Sequence, residues 1–347
     1  MKAQLVFPIL MAILLSMVTS KIVYFGFTPN YAADIFSKQT FSYRFSHDVY
    51  QYRVLGKWLL FKVDDWLSGS MPEKGAEYRI LINTRDASQR FYYAFFYLNT
   101  FFLILTSIVL VLLLYNIPAL RFSEAERSLI LFLVPVIIGL SQFTVVMYDV
   151  SSYFFQLLIL YLFLKYADSR PYASFAAICG LIILSTLNRE SSALSVSIIA
   201  LLLFQKWGLT RKAITGMICV AASFIATYVT IRLLVVDPRH LRILNLQAGR
   251  LFVDTNIIGL IFWGLFIYLP LSMAGSKENR GMILAYHLLS LPYIYTCLKD
   301  GVLWEVRLYI PLFLGSLILS KLHPASFKYR LTNLSIVAGR LTKKIPA

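Results

Sequence analysis

An all-α, polytopic membrane bundle of about ten spans is the fold that this sequence predicts, and three observations carry the reading. Apolar residues make up 59% of the chain and charged residues 14%, which leaves too little polar surface to cover a soluble domain. Several apolar stretches reach the roughly 20 residues that a helix needs to cross a hydrocarbon core of about 30 Å. When the stretches are made to alternate, the polar breaks between them fall into two sets, one rich in lysine and arginine, the other carrying acids beside arginines. The alternating pattern of a membrane β-barrel is not present.

The first span is Ala3–Phe27. Its apolar run exceeds the roughly 7–15 residues of a secretory h-region, so it is read as retained. A cut near Ser20 would still leave the next segment outside. That segment, Thr28–Arg90, is the long outer loop, and Val54–Leu67 within it has the pattern of an amphipathic helix. Arg53, Lys57 and Asp64 fall on one side of a 3.6-residue helix, while apolar residues and two tryptophans dominate the rest. The helix is expected in the outer interface, tryptophans at headgroup depth, with a small soluble cap as the alternative. From Ser68 to Arg90, glycine, proline and charge indicate loop.

Phe91–Pro118, Ser128–Tyr148 and Val150–Tyr166 follow as spans. Tyr172–Leu187 and Ser191–Trp207 are read as two spans broken at Asn188, because one merged helix would put Lys206, Arg211, Lys212 and the basic tail on the wrong side. Ala213–Val236, Thr255–Gly275, Gly281–Leu298 and Arg307–Ser320 complete the set, and Lys321–Ala347 is a basic tail. Residues 1–347 thus form a single integral membrane domain.

Orientation follows from basic residues in short loops, which resist translocation. One face collects Lys2, Arg121, Arg127, Lys165, Arg170, Lys206, Arg211, Lys212, Lys277, Arg280 and six basic residues of the tail. The other holds only Arg189, Arg239, Arg242, Arg250, Lys299 and Arg307 in its short loops. Both termini are therefore expected in the cytoplasm, of a bacterial cytoplasmic membrane by the compactness of the loops. Basic residues of the tail attract anionic lipid, at about 1 kcal/mol each near the surface. The sequon Asn333-Leu334-Ser335 lies in that tail, where glycosylation is not expected. Cys179, Cys219 and Cys297 sit in apolar spans at no metal-ligand spacing. His287, alone in an apolar span, reads as a packing residue. Nothing in the sequence points to nucleic acid.

The outer breaks carry the candidate chemistry. Asp48, in Ser46-His47-Asp48-Val49-Tyr50, is a carboxylate near a low-dielectric boundary, where desolvation tunes basicity; an N-cap is its ordinary role. His47 and Arg53 flank it. Asp149 is either a second acid that positions an acceptor or metal, or the N-cap of the following span. In Asn188-Arg189-Glu190, Arg189 has the fork to pair a phosphate and Glu190 the oxygens to hold a hydroxyl; both also suit a structural turn. Asp237-Pro238-Arg239-His240-Leu241-Arg242 concentrates three potential cations, and arginine forks match phosphate oxygens. Glu305 and Arg307 open the last span, where charge is costly unless paired or used.

His47-Asp48, the following Gln51-Tyr52-Arg53-Val54-Leu55, the Asn188-Arg189-Glu190 break and Glu305-x-Arg307-x-Tyr309-x-Pro311 together resemble the polytopic GT-C glycosyltransferases. The likeness extends over most of the span pattern. It implies a lipid-phosphate-linked sugar as donor and an outer-face active site with an acid from the first outer loop. The chain departs from several members in lacking an Asp-x-Asp or adjacent acidic pair at Asp48, which leaves a divalent metal open; Asp64-Asp65 is such a pair, on the expected interfacial helix. On this reading Asp48, Asp149 and Glu190 are the catalytic candidates, and His47, Arg53, Arg189, Arg239, His240, Arg242, Glu305 and Arg307 bind a polyprenyl-phosphate sugar. Transport of a lipid-linked saccharide or small solute is the rival class, and a noncatalytic polysaccharide-assembly subunit is a third.

Overall fold

Where water is excluded, backbone amides must be paired within their own segment, and a continuous apolar stretch meets that demand as an α-helix. The computed structural model describes residues 5–26, 33–46, 48–71, 87–166, 169, 171–235 and 254–323. Among them every regular element is helical, and one isolated bridge joins Leu120 to Leu322. The α-helices are α1 (Val6–Gly26), α2 (Lys38–Arg44), α3 (Val54–Ser68), α4 (Gln89–Asn116), α5 (Glu124–Leu140), α6 (Asp149–Tyr166) and α7 (Pro171–Asn188). They continue with α8 (Ala193–Trp207), α9 (Arg211–Val235), α10 (Asp254–Met273), α11 (Lys277–Leu289), α12 (Leu291–Asp300) and α13 (Ile310–Ser320).

Local chemistry sets the boundaries. Ser88 accepts from the Phe91 amide to start α4, and α5 opens with a capping box in which Ser123 and Glu126 satisfy each other's backbone. Ser276 caps α11 through the Asn279 amide, and Pro311 lies in the first turn of α13, where a missing amide hydrogen costs nothing. The break between α7 and α8 falls where the sequence predicts it. Asn188 ends α7, and Arg189 is extended at φ −163° and ψ 146°. The two helices then fold back, since the rings of Phe175 and Trp207 meet at 6.3 Å near their far ends.

Side-chain pairs fix the direction of each leg. Ser16 bonds Ser107 and Tyr24 bonds Asn99, so α1 and α4 are antiparallel. Tyr153 donates to the Arg307 carbonyl and Gln156 to that of Pro311, so α6 and α13 run the same way. Trp263 stacks on Tyr309 and Phe266 on Phe313, which aligns α10 with α13. Two chemically distinct ends result. At one, Lys321 pairs with Glu126, Arg121 donates to the Lys321 carbonyl, and Asn279 donates to Leu319 and Leu322. At the other lie the breaks around residues 148, 189 and 306.

Among the described residues five helices are long and apolar enough to cross a membrane: Val6–Gly26, Gln89–Asn116, Glu124–Phe143, Arg211–Val235 and Asn256–Met273. A sixth span arises if α11 and α12, bent by 55°, count as one. The other expected spans are helices too, but shorter or more polar. All 11 residues of α13 are buried. A leg sheathed by protein needs no lipid-facing perimeter, which relaxes both its length and its composition.

Residues Val54–Ser68 are helical as α3, with a buried face other than the expected one. Gly56, Leu60, Asp64 and Leu67 point inward, while Trp58 and Trp66 are exposed. Asp64, expected on the polar side with Arg53 and Lys57, is enclosed and paired with Lys38 at 2.6 Å and Arg90 at 2.9 Å. Arg90, on the first turn of α4, supplies the cation that makes that burial tolerable.

Close packing also depends on missing side chains. A Cβ at Gly259 of α10 would stand 2.0 Å from the Leu303 carbonyl oxygen, whereas one at Gly180 of α7 would meet open space. Gly259→Ala is expected to lose about 1–3 kcal/mol through overpacking against rigid backbone. Gly180→Ala is expected to hold or raise stability, by up to about 1 kcal/mol. Thermal melting of the two purified variants beside the parent checks both.

Candidate functional site

The turns at the polar end are short, so their backbone groups lack helical partners and recruit side chains. Asn188 donates to the Tyr148 carbonyl at 2.8 Å and accepts from Ser151 at 2.9 Å, tying the α6 start to the α7 end. The same amide oxygen lies 3.3 Å from where a Cβ on Gly56 would sit, so α3 packs closely here and a side chain at that position would push its neighbours aside by a few tenths of an ångström. Tyr293 donates to the Leu308 carbonyl and Tyr309 to that of Leu303, holding the segment before α13.

These turns bring six charged side chains together. Asp149, with no exposed surface, accepts from Arg189 and, at 2.9 Å, from Arg307. Arg307 also donates to Glu305 through Nε at 2.7 Å and Nη2 at 2.5 Å. Arg53 donates to Glu190 at 3.2 Å, and its guanidinium lies 4.0 Å from the Tyr148 ring centre. Arg189 approaches the same ring at 5.5 Å. Three carboxylates face three guanidiniums around one tyrosine, and the group is neutral as a whole.

Neutrality explains how so much charge is buried. Desolvation presses each ion toward its uncharged form, and paired opposite charge reverses that pressure. Burial works to raise the Glu190 carboxyl, but Arg53, a backbone hydrogen bond and Arg189 hold it below the usual glutamate value. For Arg53, burial works against the charge, while Glu190 and the electron-rich Tyr148 more than restore it. Arg189 balances burial against Asp149 in the same sense.

Of the residues expected in a site, Arg53, Asp149, Arg189, Glu190, Glu305 and Arg307 are thus joined in one place. Asp48 begins the turn Asp48–Tyr52 that leads into Arg53, but the position of its side chain lies outside what is described. His47, Arg239, His240 and Arg242 lie outside the described residues. Each acid of the network commits oxygen to a guanidinium, a donor set that does not suit a metal ion. Among the described residues there is no group of three or more His, Cys, Asp or Glu arranged to hold one.

Two contributors escaped the sequence reading. Tyr148 was visible only as a neighbour of Asp149, and its ring turns out to be the surface on which Arg53 and Arg189 rest. Arg232, inside an expected span, lies in the last turn of α9, against the rings of Tyr52 and Tyr228. An arginine three residues from the end of an apolar stretch was the available signal.

No family model matches this chain, and neither a curated protein nor a solved structure does.

Asp149→Asn leaves Arg189 without its carboxylate and Arg307 with Glu305 alone, and is expected to cost about 3–5 kcal/mol, read as lost yield and a lowered melting temperature. Glu190, whose pKa is depressed in the folded protein, contributes stability that is present above the unfolded glutamate value of about 4.3 and lost as pH falls through the folded value. The fall of melting temperature on acidification should accordingly be shallower in Glu190→Gln than in the parent.

Proposed function

We propose that this chain is a membrane glycosyltransferase that moves a sugar from a polyprenyl-phosphate donor to an acceptor at the noncytoplasmic face. In this reading about ten legs cross the bilayer, α3 rests in the outer interface, and both termini are cytoplasmic. The observation that carries it is the joining of Arg53, Asp149, Arg189, Glu190, Glu305 and Arg307 at one end of the bundle. Basic breaks such as Arg121 and Lys321 gather at the other. Charge this concentrated at a membrane boundary is costly unless it is paired or used, and interfacial transfer from an anionic lipid is one use that suits it.

The roles follow from exposure and pairing. Asp149 and Glu305 position Arg189 and Arg307, since both Asp149 oxygens and Glu305 Oε2 are engaged by those arginines and the two acids are buried. Glu190 keeps 29% of its side chain exposed and is the acid of the network that faces outward. Asp48, at the start of the adjoining turn, is the general base of the reading. It takes the proton from the acceptor hydroxyl as that oxygen bonds to the anomeric carbon. The bond from that carbon to the phosphate oxygen breaks, its electron pair leaves with polyprenyl phosphate, and the sugar inverts. Cationic side chains near the phosphate stabilise the charge that grows on it. No step is routed through a metal ion.

One observation favours a noncatalytic assembly subunit as a second reading: the six-residue network is charge-balanced and self-contained. A single assay separates the two. Purified protein is supplied with lipid-phosphate sugars and acceptors, with Asp48→Asn alongside. Transfer by the parent, reduced about 10²–10⁴-fold in the variant, supports the proposal. Full activity in Asp48→Asn removes the base, and absence of transfer from every donor in a well-folded parent favours the assembly reading.

A further inference from the structure

Every arginine of the buried network holds a carboxylate, but Arg232 does not. Its guanidinium carbon lies 4.4 Å from the Tyr52 ring centre and 4.3 Å from that of Tyr228. Its Nε is buried without a hydrogen-bond partner. Among the described residues no carboxylate stands within ion-pair distance of it. Two rings therefore lie against the guanidinium, Tyr228 also takes a side-chain hydrogen bond from it, and Nε is the N–H left without a partner. The guanidinium edge is the part of arginine that pairs with two oxygens of a phosphate at once.

We propose that Arg232, held against Tyr52 and Tyr228, is a phosphate-binding site at the polar rim and takes the phosphate of an amphiphilic ester. The inference rests on the glycosyltransferase reading only in identifying that ester with the lipid-phosphate donor or its product. Three features support it. The neighbouring network already balances its own charge, so an incoming anion is compensated by a cation outside that network. Arg232 also stands where two environments meet: Tyr52 closes the turn that begins at Asp48, while Leu233 and Leu234, beside it in sequence, are 78% and 79% exposed. Finally, the outward surface of α9 stays apolar through Ile218, Ile225 and Val229, a surface that suits a hydrocarbon tail whose headgroup stops at Arg232. Inorganic phosphate would use the first feature and not the last.

The plain alternative is a staple. An arginine in the last turn of a helix is favoured by the helix dipole, and stacking on Tyr52 secures α9 to the turn before α3. Binding separates the two. Purified protein in lipid nanodiscs is titrated with farnesyl phosphate, farnesol and inorganic phosphate, with Arg232→Gln and Arg232→Lys alongside. Farnesyl phosphate is expected to bind the parent and to weaken about 10- to 100-fold in Arg232→Gln, the loss of one charge-assisted bidentate contact. Arg232→Lys, which keeps the charge and loses the planar fork, is expected to fall between them. Farnesol and inorganic phosphate are each expected to bind far more weakly than farnesyl phosphate.

Equal affinity for farnesyl phosphate in the parent and Arg232→Gln overturns the site, as does absence of binding to a cooperatively melting parent. If Arg232→Gln fails to fold, full affinity in Arg232→Lys overturns the bidentate assignment. Inorganic phosphate binding as tightly as farnesyl phosphate overturns the lipid source, and farnesol doing so overturns the phosphate requirement. Phosphate binding that depends on Arg232, in a protein that transfers no sugar, leaves the site standing and removes the transferase reading.

Discussion

One carboxylate organises the polar end of this bundle. Asp149 has no contact with solvent and receives guanidinium groups from two other breaks, Arg189 after α7 and Arg307 before α13. Either arginine alone in a dry interior would face a desolvation penalty of several kcal/mol. Shared between them, Asp149 makes each arginine's burial conditional on the other's position. Three turns far apart in sequence are thereby held to one geometry, and Glu305 and Glu190 complete the charge balance through Arg307 and Arg53.

The backbone around the network limits its freedom further. Asn188 binds the Tyr148 carbonyl next to Asp149, and Tyr153, one helical turn on, binds the Arg307 carbonyl. Hydrogen bonds to main chain fix where the charged side chains start, while ion pairs fix where they end. Such a lattice suits a site whose geometry must persist at a membrane boundary. It also means that most of its charge serves position, so groups with unfilled bonding capacity, such as Arg232, acquire more interest as ligand contacts.

Much of this was legible in the sequence, for reasons that are local. Helix positions follow roughly from apolar length, and the break at Asn188 follows from the cost of reversing every later basic loop; the helix expected to reach Tyr148 ends at Leu140, and the one expected over Gly281–Leu298 is bent into two. The grouping of Asp149, Arg189, Glu190, Glu305 and Arg307 follows from alternation alone. Pairing was less legible. Periodicity placed Asp64 beside Lys57 on a water-facing stripe, yet Lys38 and Arg90 draw it inside, because an ion's burial depends on partners that helical spacing does not see. Arg232 was hidden by the apolar run around it, since averaging over a window dilutes a lone charge near the end of a span. Length rules met their own limit at α13, which is enclosed on every side and so escapes the demands that lipid makes.

The order of synthesis gives the last of these features a further meaning. Arg307 follows Asp149 by 158 residues, so a nascent chain exposes the acid and its first arginine long before the second arginine exists. Until α13 is made, the interior lacks both this buried helix and the second guanidinium on Asp149. A chain cut short before Arg307 and α13 would therefore leave Asp149 without its second guanidinium and expose the surfaces that α13 covers.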